Sequence, residues 1–372
     1  MHPVTARIPT GVAGEPIPSE PSRRHRWARH AGRWSIAGVA AGLCWLAFRD
    51  VDWQGAVGMC TRIGAGAALL LVPQLCALLL ETCAWQRMIQ QAGHRAAYYR
   101  LFVVRAATES IGQLLPAGVV WCESLKPALL ERHCGLPIPA GVAATAHRKW
   151  LRVAAHGPYL ILAGLLSFGT LSGLSRVLIG GPALEWILPV CGLGLGVSAF
   201  LFACLLARGA LAKRAGRLLE RLGVPARFSS SNGFVSTDRL IAQPFSAPLG
   251  LGAPLGLTLL AWSMEAFESL LIVWLLGSGL GIAEVAGVDA LTSLARQTLV
   301  VLPAGAGVQE FSYTTALRAL DVEDVMTLGA AFVLLKRVKE LAWAAIGCAA
   351  LAALRRAHTV SRPVRPAFHP SG

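Results

Sequence analysis

A nine-residue segment occurs twice in this chain, and each copy interrupts a stretch otherwise suited to hydrocarbon. Residues 115–123 read LPAGVVWCE and residues 302–310 read LPAGAGVQE, an offset of 187 from Leu115 to Leu302. Pro removes a backbone donor and Gly loosens a helix, so each copy predicts a break, with Pro116 and Gly118, and Pro303 and Gly305, as hinges. In lipid a break survives only where protein or a polar cavity satisfies the freed backbone groups. Applied elsewhere without gaps, the same offset lays Glu81 on Glu268, Lys149 on Lys336, Arg152 on Lys339 and Glu109 on Arg296. Duplicated, broken segments in a membrane chain point to a transporter-like architecture with a site between two halves.

That the chain is a membrane protein follows from its composition. Of 372 residues, 55% are hydrophobic and 15% charged, against about a quarter charged in soluble domains. The net charge of +14 is concentrated in three places. Residues 1–34 hold six Arg against two Glu, residues 207–240 hold seven basic residues against Glu220 and Asp238, and residues 354–372 hold four Arg. Basic segments flanking apolar runs are the positive-inside signal, not a nucleic-acid-binding face. The nine Cys form no CxxC pair and the nine His no HExxH pattern, so neither a metal site nor a cofactor is expected. No P-loop, dinucleotide fingerprint or nucleophile elbow is present in the sequence.

The apolar runs fall at about 34–48, 64–85, 138–168, 183–206, 249–279 and 325–352, with broken stretches at 101–133 and 288–320. The expected fold is all-α, a polytopic integral membrane protein of about six to eight transmembrane helices. It divides into a disordered basic arm (1–33), a transmembrane domain (34–352) and a basic tail (353–372). Within the domain, repeat one is 34–168 and repeat two 183–352, with a basic cytoplasmic loop at 207–247 that carries an amphipathic helix near 210–222. Placing every basic segment in the cytoplasm leaves 280–291 and 318–325, both acidic, on the far side. Both termini are then cytoplasmic in a bacterial inner membrane. Each half has an odd number of crossings, so the two repeats are inverted, each with a broken or re-entrant LPAG hairpin.

The charges inside the runs are the candidate site. Lys149 and Lys336 each lie eleven residues into their spans, about 16 Å deep at ~1.5 Å per residue. A charge there costs roughly 2.5–3.5 kcal/mol and needs a partner or a wet cavity. Arg152 and Lys339 follow three residues on, so each pair forms a cationic patch on one helix face. The four cations are expected to hold an anionic group such as a lipid phosphate. Glu123 and Glu310 would balance charge, and Glu81 and Glu268 complete the set. The alternative is internal pairing, for which Glu81, Glu123, Glu265, Glu268, Glu310 and Glu340 are all available. Glu109 and Arg296, of opposite sign at equivalent positions, are expected to bridge the two halves.

At ESIGQLLPAGVVWCE (109–123), LPAGAGVQE (302–310) and LLKRVKE (334–340), the chain resembles the flippase-like family, also described as the lysylphosphatidylglycerol synthase transmembrane region. GVQE followed by KRVKE is similar to its hopanoid-associated (HpnL-type) subgroup. The first motif departs from the family pattern, carrying Val119, Val120, Trp121 and Cys122 where further Gly is common. The resemblance implies a lipid translocator. The aminoacyl-transferase domain that follows in some members is expected to be absent, and enzymatic activity is not expected. The expected partners are a membrane lipid substrate, anionic inner-leaflet lipids at the basic loops, and lipid-biosynthesis enzymes. Two other functions fit the same residues: an intramembrane transferase acting on a lipid headgroup, and a non-catalytic scaffold.

Overall fold

The structure, a computed structural model, describes residues 53–114, 118–208, 231–298, 308–319 and 325–360. The run at 34–48, the N-terminal arm, Pro116, Pro303, Gly305, the helix expected near 210–222 and the end of the tail lie outside the described residues. Every regular element described is helical. The first half contains α1 (Trp53–Ile63), α2 (Leu71–Gln91), α3 (Tyr98–Leu114), α4 (Gly118–Cys134) and α5 (Ile138–Leu166). Helices α6 (Phe168–Leu178) and α7 (Leu184–Ala207) follow. The second half contains α8 (Ser231–Ala242), α9 (Gly252–Leu275), α10 (Ile282–Thr298), α11 (Val308–Ala319) and α12 (Val325–Val360).

The order α1 to α5 is repeated as α8 to α12. Moved by 187, the start of α5 at Ile138 falls on the start of α12 at Val325, and α2, α3 and α4 overlap α9, α10 and α11. Packing repeats as well. Helix α2 packs on its counterpart α9. Helix α3 packs on α12 as α10 packs on α5, and α1 packs on α12 as α8 packs on α5. Within each half, α3 meets α4 as α10 meets α11, and α4 meets α5 as α11 meets α12. Exchanging the halves therefore maps these contacts onto themselves. Each long helix is flanked by the hairpin of the other half, so neither half is a separate unit.

The burial pattern is that of a protein in hydrocarbon. On α7, Trp186, Val190, Leu193, Val197 and Phe200 recur at helical spacing and all face outward. Inside, Arg105, Lys126, Glu81, Glu268, Asp289 and Lys336 are buried. Among the described residues, three segments are long and apolar enough to cross a membrane: Trp53–Gln91, Leu184–Ala207 and Pro248–Leu275. The bent pair α5–α6, at 79°, makes a fourth. Helix α12 has the length, 36 residues, but carries Lys336, Arg337, Lys339 and Glu340. The LPAG positions Leu115 to Ala117 and Leu302 to Gly307 lie outside the described residues, between α3 and α4 and between α10 and α11, so the expected breaks fall there.

Two expectations need correction, and one stretch carries an element for which no expectation was stated: that between the runs at 138–168 and 183–206. It holds α6, whose sharp bend from α5 at Ser167 carries no Pro or Gly signal at that residue. The basic loop 207–247 contains α8 and a 3-10 turn, with Phe245 buried against Trp150. The tail does not begin at residue 353, because α12 continues to Val360.

Helices approach closely where Gly removes the side chain. A β-carbon at Gly347 would stand 2.5 Å from the Ala106 carbonyl oxygen on α3. At Gly194, on the outer face of α7, it would meet nothing within 4 Å. Gly347→Ala is expected to destabilise the detergent-solubilised protein by about 1–3 kcal/mol, the usual cost of overpacking, and Gly194→Ala to leave it unchanged. Thermal unfolding of both variants, followed by size-exclusion chromatography, checks this.

Candidate functional site

Helices α2, α3, α5, α9, α10 and α12 enclose a cavity of about 130 Å³ whose wall is almost entirely charged. Glu81, Glu109, Glu265, Glu268 and Glu340 face Arg105, Arg152, Arg296, Lys336 and Lys339 across it, five charges of each sign. Both halves contribute. The sequence at 187-residue spacing places two of these pairs identically: Arg152 on α5 binds Glu81 on α2 at 3.0 Å, and Lys339 on α12 binds Glu268 on α9 at 2.8 Å. These are the same ion pair in the two repeats, and both were expected as members of the site.

Arg152 also reaches the other half. Its second guanidinium nitrogen donates to Glu265 at 2.9 Å, and its carbonyl accepts the indole N–H of Trp262 at 3.1 Å. The guanidinium lies 4.6 Å from the centre of the Trp262 ring. A planar fork with fixed donors suits this triple engagement, where a lysine would satisfy one partner at a time.

The remaining expected residues divide. Lys336 is buried and stands between two carboxylates, 3.6 Å from Asp289 and 3.9 Å from Glu268. Lys149, its counterpart, is 45% exposed and pairs with Glu123 at 3.1 Å outside the cavity wall. The buried cation at that level of α5 is Arg148, bound to Glu109 at 2.7 Å and to Glu123 at 3.3 Å. Glu123 also accepts from Lys126 at 2.8 Å. The expected Glu109–Arg296 bridge is not formed. Glu109 is taken by Arg105 and Arg148, while Arg296 lines the same cavity without an ion pair among the described residues. Arg105 binds Glu81 and Glu109, yet its Nη1 is buried with no hydrogen-bond partner among the described residues. Gly118 is the first residue of α4, Glu310 lies in α11, and Pro116, Pro303 and Gly305 fall outside the described residues.

Sequence reading missed Arg105, Lys126, Arg148, Asp289, Tyr159 and Tyr313 as members of the network. One signal was there. Arg148 and Arg152 are four residues apart and share a helix face as well as Lys149 and Arg152 do. The offset favoured Lys149 because it falls on Lys336. Arg148 falls on Leu335, so the buried cation has shifted by one residue between repeats.

The geometry holds a cluster of opposite charges inside the protein, so removing one partner is costly. Lys339→Met leaves the buried Glu268 with Lys336 alone at 3.9 Å, and breaking a buried pair typically costs about 3–5 kcal/mol. Combined with Glu268→Gln, most of that loss is expected to return, because no buried carboxylate is then stranded. Thermal stability of the two single variants and the double variant gives the coupling.

No curated protein and no solved structure matched the chain. The model of one family matches residues 34–338, which take in every helix that lines the cavity, up to the level of Lys336 on α12. Together with the all-helical, membrane-spanning fold, this match places the chain in the lysylphosphatidylglycerol synthase TM region family, the membrane part of lipid-related proteins.

Proposed function

We propose that this protein carries a lipid with an anionic headgroup across the membrane, with the headgroup seated in the charged cavity and the acyl chains outside it. The observation that supports this most is Arg296, which lines the cavity without an ion pair among the described residues, in a wall whose other cations are held by carboxylates. An incoming phosphate would take Arg296 first. It could then draw Arg152 from Glu81, which Arg105 still holds.

An apolar groove of about 430 Å³ runs beside the cavity along α5, α9 and α10, lined by Leu162, Leu166, Phe267 and Leu270. Ser263, Ala266 and Phe267 face the groove while Glu265 and Glu268 face the cavity, so α9 carries both surfaces side by side. That is the division an amphiphile needs. In this reading the halves are inverted, as the placement of basic and acidic segments favours, and the cavity opens alternately to each leaflet. The location is a bacterial inner membrane, and the lipid is of hopanoid-related or other anionic type. The role is that of a carrier and not of an enzyme.

Arg296→Gln is the most informative variant, because Arg296 holds no ion pair among the described residues and its loss strands no carboxylate there. The protein should fold normally. In reconstituted vesicles, movement of a fluorescent phosphatidylglycerol between leaflets should slow about tenfold or more, a loss of about 1.4 kcal/mol or above. A wild-type rate in this variant would remove the cavity from the transport route. A new lipid species formed in the vesicles, with no redistribution, would favour a transferase instead.

A further inference from the structure

Helix α7 stands outside the repeat of α1–α5 and α8–α12, and with α9 it walls a second groove. Both helices pack on α5. Between them, over a floor of Trp150, Ala154 and Pro158, lies an apolar space of about 550 Å³. It shares no lining residue with the charged cavity or with the groove beside α10. It is therefore a separate place on the molecule, and its size is that of a ligand site, ~300–1,000 Å³.

The walls are fixed to the floor by backbone contacts. Trp150 on α5 donates its indole N–H to the Ala199 carbonyl on α7 at 3.0 Å, and Trp262 on α9 donates to the Arg152 carbonyl on α5 at 3.1 Å. Phe245, in the 3-10 turn after α8, stands edge-on to the Trp150 ring at 4.8 Å. One helical turn beyond Gly196, α5 and α7 come into backbone contact: a β-carbon at Gly157 would stand 2.7 Å from the Gly192 carbonyl oxygen. The groove ends there. Phe200 on α7 is 66% exposed and Gly256 on α9 is exposed, so the groove opens sideways on the face turned to lipid. An apolar space of this kind does not hold water. In a bilayer a hydrocarbon chain fills it.

Length and charge say which chain. On α7 the groove runs from Gly196 to Ala207, eleven residues, or about 16 Å at ~1.5 Å per residue. That is about half of a ~30 Å hydrocarbon core, the depth of one leaflet. Its mouth lies where the chain leaves the membrane. Ala207 ends α7 and Pro248 opens the 3-10 turn that leads into α9, and both line the groove. The two ends of the basic loop therefore meet at the mouth. Residues 207–240 hold seven basic residues against two acidic ones. Arg208, next to Ala207, is exposed. Leu249, next to Pro248, is 99% exposed, an apolar side chain suited to the bilayer interface. A basic cluster at the end of a span attracts anionic headgroups.

We propose that this groove holds a resident phospholipid with an anionic headgroup, drawn from the leaflet that the basic loop faces. One acyl chain lies between α7 and α9, and the phosphate sits at Arg208. The apolar part accepts the chain of any phospholipid, so the charge at the mouth makes the selection. The lipid is not the transported one, and the site does not depend on the carrier reading. Leu255 and Leu259 face the groove on the same helix that carries Glu265 and Glu268 to the cavity. An occupied groove thus steadies the helix that forms part of the cavity wall.

Two measurements on the full-length protein test this. In the first, wild-type protein in vesicles is crosslinked to a phosphatidylglycerol with a diazirine midway along one acyl chain, and the peptides are mapped. Adducts should fall on Ala203, Cys204 and Leu255, which line this groove. Adducts only on Leu162 and Phe267, in the groove beside α10, overturn the proposal and favour the carrier reading. Adducts on Ala203 and Leu255 in a protein that moves no lipid uphold the resident site and remove the carrier reading instead. In the second, protein in detergent with equal phosphatidylglycerol and phosphatidylcholine of matched chains is read by native mass spectrometry. Wild type should retain phosphatidylglycerol in preference. A β-carbon at Gly196 or Gly256 would meet nothing within 4 Å, so a leucine there fills the groove without displacing a neighbour. Gly196→Leu and Gly256→Leu should each lower retention about tenfold or more. Gly194→Leu, where the space is equally free but outside the groove, should retain the lipid as wild type does. Arg208→Gln should lower retention about fivefold, the weight of one basic residue near an anionic surface. Wild-type retention in both groove variants, or equal retention of the two lipids by wild type, overturns the proposal.

Discussion

Arg152 is the group on which the arrangement turns. It binds Glu81 in its own half and Glu265 in the other, and its backbone carbonyl accepts the Trp262 indole. One side chain thus ties α5 to α2 and to α9, and α2 and α9 are themselves counterparts packed on one another. In water an ion pair of this kind contributes little. In an interior walled off by apolar helices, three charges left apart would each cost several kcal/mol, so they are held together by the expense of separating them. The two halves are joined at their charged centre as much as by their apolar contacts.

That constraint explains why burial is turned inside out. Leucine and phenylalanine on α7 need nothing from the interior, since lipid solvates them as well as protein does. Arginine, lysine and glutamate at mid-span have no alternative to one another. The network is consequently close to neutral at the cavity, five charges against five, with Arg296 unengaged. A more cationic wall would be costly when empty.

Much of this was legible in the sequence because the repeat was. Ile138 and Val325 as matched helix starts, and the Glu81–Arg152 and Glu268–Lys339 pairs, follow from one offset. The reading failed where the repeats have diverged or where a partner comes from a distant helix. Lys149 was preferred to Arg148 because it matched Lys336, yet α5 is rotated so that Arg148 faces inward. Asp289 resembles any polar residue near the start of a helix until Tyr159, Ser269, Tyr313 and Lys336 converge on it from four other elements. Glu109 and Arg296 matched by offset and sign, but Arg105 on the same helix as Glu109 is nearer and takes it. Helix α6 bends from α5 at a serine, a residue that carries no turn signal of its own.

Symmetry and its loss have different uses in this molecule. The shared pairs give both halves the same hold on the cavity, whereas the acid cluster around Asp289 belongs to one half. The account rests on a lipid headgroup entering the charged cavity between α9 and α12. Photo-crosslinking with a phosphatidylglycerol bearing a diazirine in its headgroup, followed by peptide mapping, tests this directly. The account predicts adducts on the cavity residues of α9, α10 and α12 that decline when unlabelled phosphatidylglycerol competes. Adducts confined to the outer face of α7 and unaffected by competitor would contradict it.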